Sequence, residues 1–292
     1  MFSLDSTSES ILTMATKQNY AFAICIDLCY LIYSFLDFVD KMNYREIYKR
    51  FNKFEITDLY NIDNEYTSKL NQNILKQSTY ANVTQLCVDV ATNITDLNFL
   101  KKLKRVRFIN YHRNTNVYDR NHGVTNDGIK YLNLEELCVG ANFCITNLNQ
   151  LTTLKKLDIC GFSCKVGDTG IKNLKLEELD VEDNDKITNL NHMITLKKLN
   201  ISWECGVNDE GIKNLNLYEL DAEGNDKITN LNHMSNLKKL NISGEMCGVD
   251  DNGIKNLNLE ELEKYYNEKI TTLNHMDRLK KLNNRHYGDT KT

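Results

Sequence analysis

Residues 176–216 read LEELDVEDNDKITNLNHMITLKKLNISWECGVNDEGIKNLN, and closely similar text begins again at Leu217. One tetrad, Leu-x-x-Leu, opens at Leu176 and a second, LKKL, at Leu196. The first recurs as LEEL at Leu134, LYEL at Leu217 and LEEL at Leu259, at intervals of 42, 41 and 42 residues. LKKL recurs at Leu154, Leu237 and Leu279, so each doublet is a 20-residue unit followed by one of 21 or 22. Units this short cannot bury an apolar face alone. They must stack into a solenoid with a continuous core.

Within the odd unit, apolar residues fall at Leu176, Leu179, Val181, Ile187, Leu190 and Met193; within the even unit, at Leu196, Leu199, Ile201, Cys205, Val207, Ile212 and Leu215. The alternation Leu179-x-Val181 is strand period and sends the intervening side chains to solvent. Asn184, Asn225 and Asn267 follow the odd strands, where a buried amide would satisfy turning backbone groups. Cys164, Cys205 and Cys247 lie near that place in even units. The even units also carry Asp168, Asp209 and Asp251 two residues before Gly170, Gly211 and Gly253. Asp there is expected to cap a short helix or turn, and a repeated Gly marks a site with no room for a side chain. The tetrads resemble leucine-rich repeats. The even units look like the cysteine-containing subclass, and the odd units like a shorter subclass with a 3₁₀ or irregular convex side.

Degraded copies extend the array upstream, through Val83 to Leu86 and Leu103 to Val106. Ten units are expected, starting at 83, 103, 134, 154, 176, 196, 217, 237, 259 and 279, with 285–292 a polar tail. Equivalent positions on stacked parallel strands form ladders. Directly before the second Leu runs Glu136, Lys156, Glu178, Lys198, Glu219, Lys239, Glu261 and Lys281, a strict alternation that reads as a charge zipper. Two residues on stand Cys138, Asp158, Asp180, Asn200, Asp221, Asn241 and Glu263. The next outward row holds Glu182, Glu223 and Tyr265. This acidic stripe is either a solvated face or a site for a basic partner segment. Trp203, the sole Trp, replaces Gly161 and Gly244 of sister units, as a binding hot spot or as packing. Arg105 and Arg107, with Arg113 and Arg120 in the long loop YHRNTNVYDRNH, offer a grip for an acidic or phosphorylated segment. His192, His233 and His275 share one N-H-M phrase and read as repeat furniture, with no metal or catalytic role.

The bulk numbers narrow the function classes. At 292 residues, net charge −4 and pI about 5.9, no global field draws the chain to nucleic acid or to an anionic membrane. Nine cysteines without a CxxC pair fit apolar filling in a reducing compartment. The first twenty residues place acids before the first Lys, unlike a secretory signal, and the apolar run 20–39 carries Asp27 and Asp37, unlike a membrane span. A cytoplasmic or nuclear protein is expected, not a secreted one. The sequence has no P-loop, GxSxG or HExxH motif, so neither an enzyme nor a cofactor is expected.

Residues 24–54 read ICIDLCYLIYSFLDFVDKMNYREIYKRFNKF. Ile24, Leu28, Ile32, Phe35 and Leu36 are spaced for one amphipathic helical face, and Met42 and Ile47 continue in a second. This stretch resembles the F-box. Ile24, Cys25, Asp27 and Leu28 take the family's opening places, Cys25 standing for its Pro; residues 32–36 match its middle and 47–51 its end, with Phe51 for Trp. The resemblance implies that Ile24, Cys25, Leu28, Phe35, Leu36, Ile47 and Phe51 form or support an apolar surface for a Skp-type adaptor of a cullin–RING ubiquitin ligase. The repeats would then hold an unknown protein substrate. The other reading makes residues 21–54 a cap for the first repeat, and the whole chain an interaction scaffold unconnected to ubiquitin. Near-identical duplicates and the AT-rich coding implied by abundant Asn, Lys and Ile also resemble repeat proteins of large DNA viruses of protists, for which the adaptor would be the host's. The expected organisation is therefore α/β. A flexible start (1–20), an all-helical F-box-like subdomain (21–54) and a linker or cap (55–82) precede a leucine-rich-repeat solenoid (83–284) with a parallel concave sheet and a short helical or 3₁₀ convex side.

Overall fold

A computed structural model describes residues 56–60, 67, 69–90, 92–109 and 123–284. The F-box-like stretch, the loop arginines Arg113 and Arg120, and the tail 285–292 lie outside the described residues. Among the described residues eleven strands form one parallel sheet in strictly sequential order. They are β1 (Asp58–Leu59), β2 (Gln85–Asp89), β3 (Arg105–Ile109), β4 (Glu136–Cys138), β5 (Lys156–Asp158), β6 (Glu178–Asp180), β7 (Lys198–Asn200), β8 (Glu219–Asp221), β9 (Lys239–Asn241), β10 (Glu261–Glu263) and β11 (Lys281–Asn283). Sequential parallel order is what a one-strand-per-turn solenoid produces. β2 to β11 fall in the ten repeat units. β1 lies in the segment read as a linker and pairs with β2 through Asp58↔Gln85 and Leu59↔Leu86.

The central leucines Leu137, Leu157, Leu179, Leu199, Leu220, Leu240 and Leu262 are in register across the ladder and buried. Val139, Ile159, Val181, Ile201, Ala222 and Ile242 form a second buried row. The last strand departs from this. Leu282 is 46% exposed, whereas its sisters are at most 3%. In the preceding unit Lys264 occupies the buried row of Val181 and Ala222, its Nζ donating to Asn267 O at 3.3 Å.

The convex side is built differently in odd and even units. Odd units turn without a helix, on a buried asparagine. Asn225 Nδ2 donates to Ile201 O at 2.7 Å and Val207 O at 3.5 Å, and its Oδ1 accepts from Lys227 N at 2.9 Å. Asn142, Asn184 and Asn267 do likewise. Even units place a buried Cys near that point and then form one helical turn: α3 (Asp168–Ile171), α4 (Asp209–Ile212) and α5 (Asp251–Ile254). Upstream, α1 (Gln72–Leu75) and α2 (Asn126–Ile129) occupy corresponding places.

The repeated Asp does not cap its own helix, contrary to the expectation. The N-caps are Gly167, Asn208 and Asp250, of which Asn208 and Asp250 accept from Gly211 N and Gly253 N at 3.0 Å each. Asp209 reaches instead into the following odd unit. Its Oδ1 accepts from Thr229 N at 2.9 Å and Asn230 N at 3.2 Å, and its Oδ2 from Thr229 Oγ1 at 2.6 Å. Asp168 and Asp251 repeat this, and Asn126 and Gln72 serve the same purpose upstream. The other flank of each of α2 to α5 presses on the preceding unit. A Cβ on Gly211 would lie 2.2 Å from Thr188 O, and one on Gly253 2.1 Å from Thr229 O. Only Gly allows that approach. Among the described residues no helix is long and apolar enough to cross a membrane.

Candidate functional site

The strands' outward side chains line a concave trough of ≈ 540 Å³ running from Tyr60 to Glu263. Its outer charge row closes as alternate rungs. Lys156 meets Glu178 at 3.1 Å, Lys198 meets Glu219 at 3.5 Å and Lys239 meets Glu261 at 2.8 Å, each Lys reaching toward the next unit. The row one residue earlier adds Lys197–Glu177 and Lys280–Glu260 at 2.7 Å each. These exposed pairs neutralise one another and set which units lie side by side.

The inner rows are acidic and do not close this way. Among the described residues Asp158, Asp180, Glu182, Asp221 and Glu223 form no ion pair; neutral donors of the even units hold several of them. Asp221 accepts from Ser202 Oγ at 3.0 Å and Asn241 Nδ2 at 3.1 Å, and Glu223 accepts from Asn241 Nδ2 at 3.2 Å. Asn200 Nδ2 donates to Glu182 at 3.3 Å. Asp158 and Asp180 face each other in register. Burial, opposed by a bond from Glu182 N and reinforced by Asp158, pushes the Asp180 carboxyl up to about 6. Glu263 differs, pairing with Lys281 at 3.5 Å and accepting from Asn283 at 2.9 Å. Tyr265 lies beside Ser243, whose Oγ accepts from Tyr265 N at 3.1 Å.

The two arginines separate. Arg105 is occupied within the fold: it binds Glu136 at 2.6 Å and Gln85 at 2.5 Å, and its guanidinium lies 4.5 Å from the Tyr60 ring centroid. Arg107 is exposed on β3, paired in register with Cys87 and Cys138, and makes no ion pair among the described residues. The thiols near it are poor nucleophiles, because burial pushes Cys87 up to about 11 and Cys138 up to about 12. Among the described residues no group of three His, Cys, Asp or Glu could hold a metal ion.

Just past the strands the chain bends through left-handed residues: Gly161, Asp183, Trp203, Gly224, Gly244 and Tyr266. Trp203, at φ 58°, is 47% exposed, and its ring covers Gly224, where an added Cβ would lie 2.7 Å from Cε3. Tyr218 escaped the sequence reading. It is 45% exposed at the opposite rim, and its signal was the one tetrad spelled LYEL where its sisters read LEEL.

No protein-family model and no curated protein matches the chain. Among solved structures, a leucine-rich-repeat protein of Leptospira interrogans is similar at TM-score 0.36 and 15% identity, over 80% of this chain and 55% of that one. TLR13 in complex with ssRNA13 is similar at TM-score 0.39 and 15% identity, over 80% of this chain and 51% of that one. The chain thus spans about half the length of each. Both superpose loosely, and the assignment of a leucine-rich-repeat solenoid rests on the ladder and repeats described above.

Proposed function

We propose that the chain is a non-catalytic recruiting protein whose concave face binds another protein. The observation that carries this reading is the trough itself. Carboxylates held only by neutral donors lie beside an exposed Trp, and the thiols among them are held protonated by burial. Exposed aromatics beside uncompensated charge suit recognition of a macromolecule more than turnover of a small one. The finer proposal rests on the F-box resemblance of residues 24–51. In it, Ile24, Cys25, Leu28, Phe35, Leu36, Ile47 and Phe51 dock a Skp-type adaptor, and the ligase attached to it modifies whatever the trough holds. This chain contributes proximity, an effective-concentration effect. Such a protein works in the cytoplasm or nucleus, where its buried thiols stay reduced.

A pull-down of purified Skp-type adaptor with the full chain tests the finer reading. The expected result is capture by the intact chain and loss with Leu36→Asp. No capture, or capture indifferent to that change, leaves the interaction scaffold unconnected to ubiquitin as the reading that stands.

A further inference from the structure

In an array of near copies, exposed positions that break the repeat mark places where something other than stacking has set the residue. Two such breaks fall on adjacent strands. Trp203, just past β7, stands where even sisters have Gly161 and Gly244; Tyr218, just before β8, stands where odd sisters have Glu135, Glu177 and Glu260. Both are aromatic and nearly half exposed, and they sit at opposite rims of one strip of the trough. Tyr218 is level with Lys197, since Glu219 pairs in register with Lys198. From that level to Trp203 is six residues, at most roughly 20 Å. This is the span of about six residues of an extended chain.

The strip between the two rings is chemically polarised. Toward Trp203 lie Asp221 and Glu223, whose oxygens accept from Ser202 Oγ and Asn241 Nδ2 and pair with no cation among the described residues. The neighbouring cations are engaged elsewhere: Lys198 with Glu219, Lys239 with Glu261, and Lys227 through its Nζ on Cys205 O at 2.8 Å. The Tyr218 end is the reverse. Lys197 is matched by Glu177, but Tyr218 takes the place of the Glu that Lys238 would otherwise face, and Lys238 makes no ion pair among the described residues.

We propose that an extended segment of a partner protein lies across β7 and β8, with a lysine or arginine side chain between the Trp203 ring and the carboxylates of Asp221 and Glu223. Tyr218 holds the segment's other end. Charge complementarity selects this occupant: unpaired carboxylates beside a π face attract a cation and repel an acidic chain or a nucleic acid. The inference rests on the reading of the trough as a recruiting surface and names the chemistry that it recruits.

The test is selection of a phage-displayed library of random nonapeptides on the full chain and on three variants. Trp203→Gly and Tyr218→Glu restore the sister residues; Asp221→Asn with Glu223→Gln removes charge without removing acceptors. Peptides selected on the intact chain are expected to be enriched in Lys and Arg. Their affinity should fall about tenfold with Trp203→Gly or with the double neutral variant, and about threefold with Tyr218→Glu. Trp203→Leu keeps cover over Gly224 without the aromatic face, so it should weaken binding too even if the Gly variant melts early. Selected peptides with no basic enrichment, no selection at all, or clones indifferent to these changes overturn the proposal. The adaptor pull-down concerns residues 24–51 and gives its answer independently, so failure of one is not failure of the other.

Discussion

Odd and even units share a strand and a leucine core yet close their turns by different chemistry. The odd unit turns around a buried amide that satisfies two carbonyls and an N–H at once, as Asn225 does. The even unit fills the matching space with a thiol, Cys205, whose burial keeps it protonated, and passes the polar work to a half-buried Asp209. One solution is buried and directional, the other apolar with its bonds moved to the surface. The difference teaches that near-equal repeats need not be equally fragile.

The comparison breaks most easily at the amide. Asn225→Ala strands buried backbone groups and should cost roughly 3–4 kcal/mol in urea unfolding. Cys205→Ala removes a small apolar filler and should cost about 1 kcal/mol. Equal losses would dissolve the distinction between the two turns. Next comes the close approach of α4. Gly211→Ala forces a methyl onto Thr188 O, which backbone movement must relieve, and should lose about 2–3 kcal/mol by the same measurement.

A smaller effect has the opposite sign. The Asp180 carboxyl is raised in the folded chain, so the folded state binds its proton more readily than the unfolded state does. The stability this contributes is present below the unfolded value and is lost as pH rises through about 6. Asn stands at the even sister position, where Asn200 Oδ1 accepts from Ser202 N at 3.0 Å just as Asp180 accepts from Glu182 N. Asp180→Asn should therefore stabilise the chain near pH 7 by on the order of 1 kcal/mol after solvent screening, the gain vanishing by about pH 4. A melting series over pH checks the convergence. The smallest effect belongs to the charge row: Lys239→Gln should lower the melting temperature slightly at low salt and not measurably in about 0.5 M salt.

Much of this ladder was legible because the copies align themselves. The tetrads and their degraded copies located β2 to β11, and the repeat phrases gave Asn184, Asn225, Asn267, Gly170, Gly211 and Gly253 without any structure, though not Asn142 or Gly128. β1 was missed: Ile56-Thr-Asp-Leu59 is a degraded tetrad like Val83-Thr-Gln-Leu86, but only its pairing with Gln85 and Leu86 of β2 identifies it as a rung. The direction of Asp209 was not legible either. A cap and a bridge use the same residue at the same spacing, and only the side chain's turn toward the next unit separates them. Similarly hidden were Asn98, Asn149, Asn191 and Asn232, each donating to a carbonyl of the following helix and accepting from an N–H beyond it. The acidic stripe was legible as charge. That Asn241 and Ser202 are its hydrogen-bond donors could be seen only once the rows were placed side by side.

The helix-to-turn contacts have an evolutionary corollary. Each of α3, α4 and α5 has a Thr-bearing turn behind it that crowds its Gly and another ahead that receives its Asp. Excising 217–236 alone would set the Lys198 and Lys239 levels side by side and bring α4 against α5, with nothing to receive Asp209. Loss or gain of some forty residues, by contrast, leaves every interface as it was. The contacts obey parity: adding or removing an even number of turns keeps them, and an odd number breaks them.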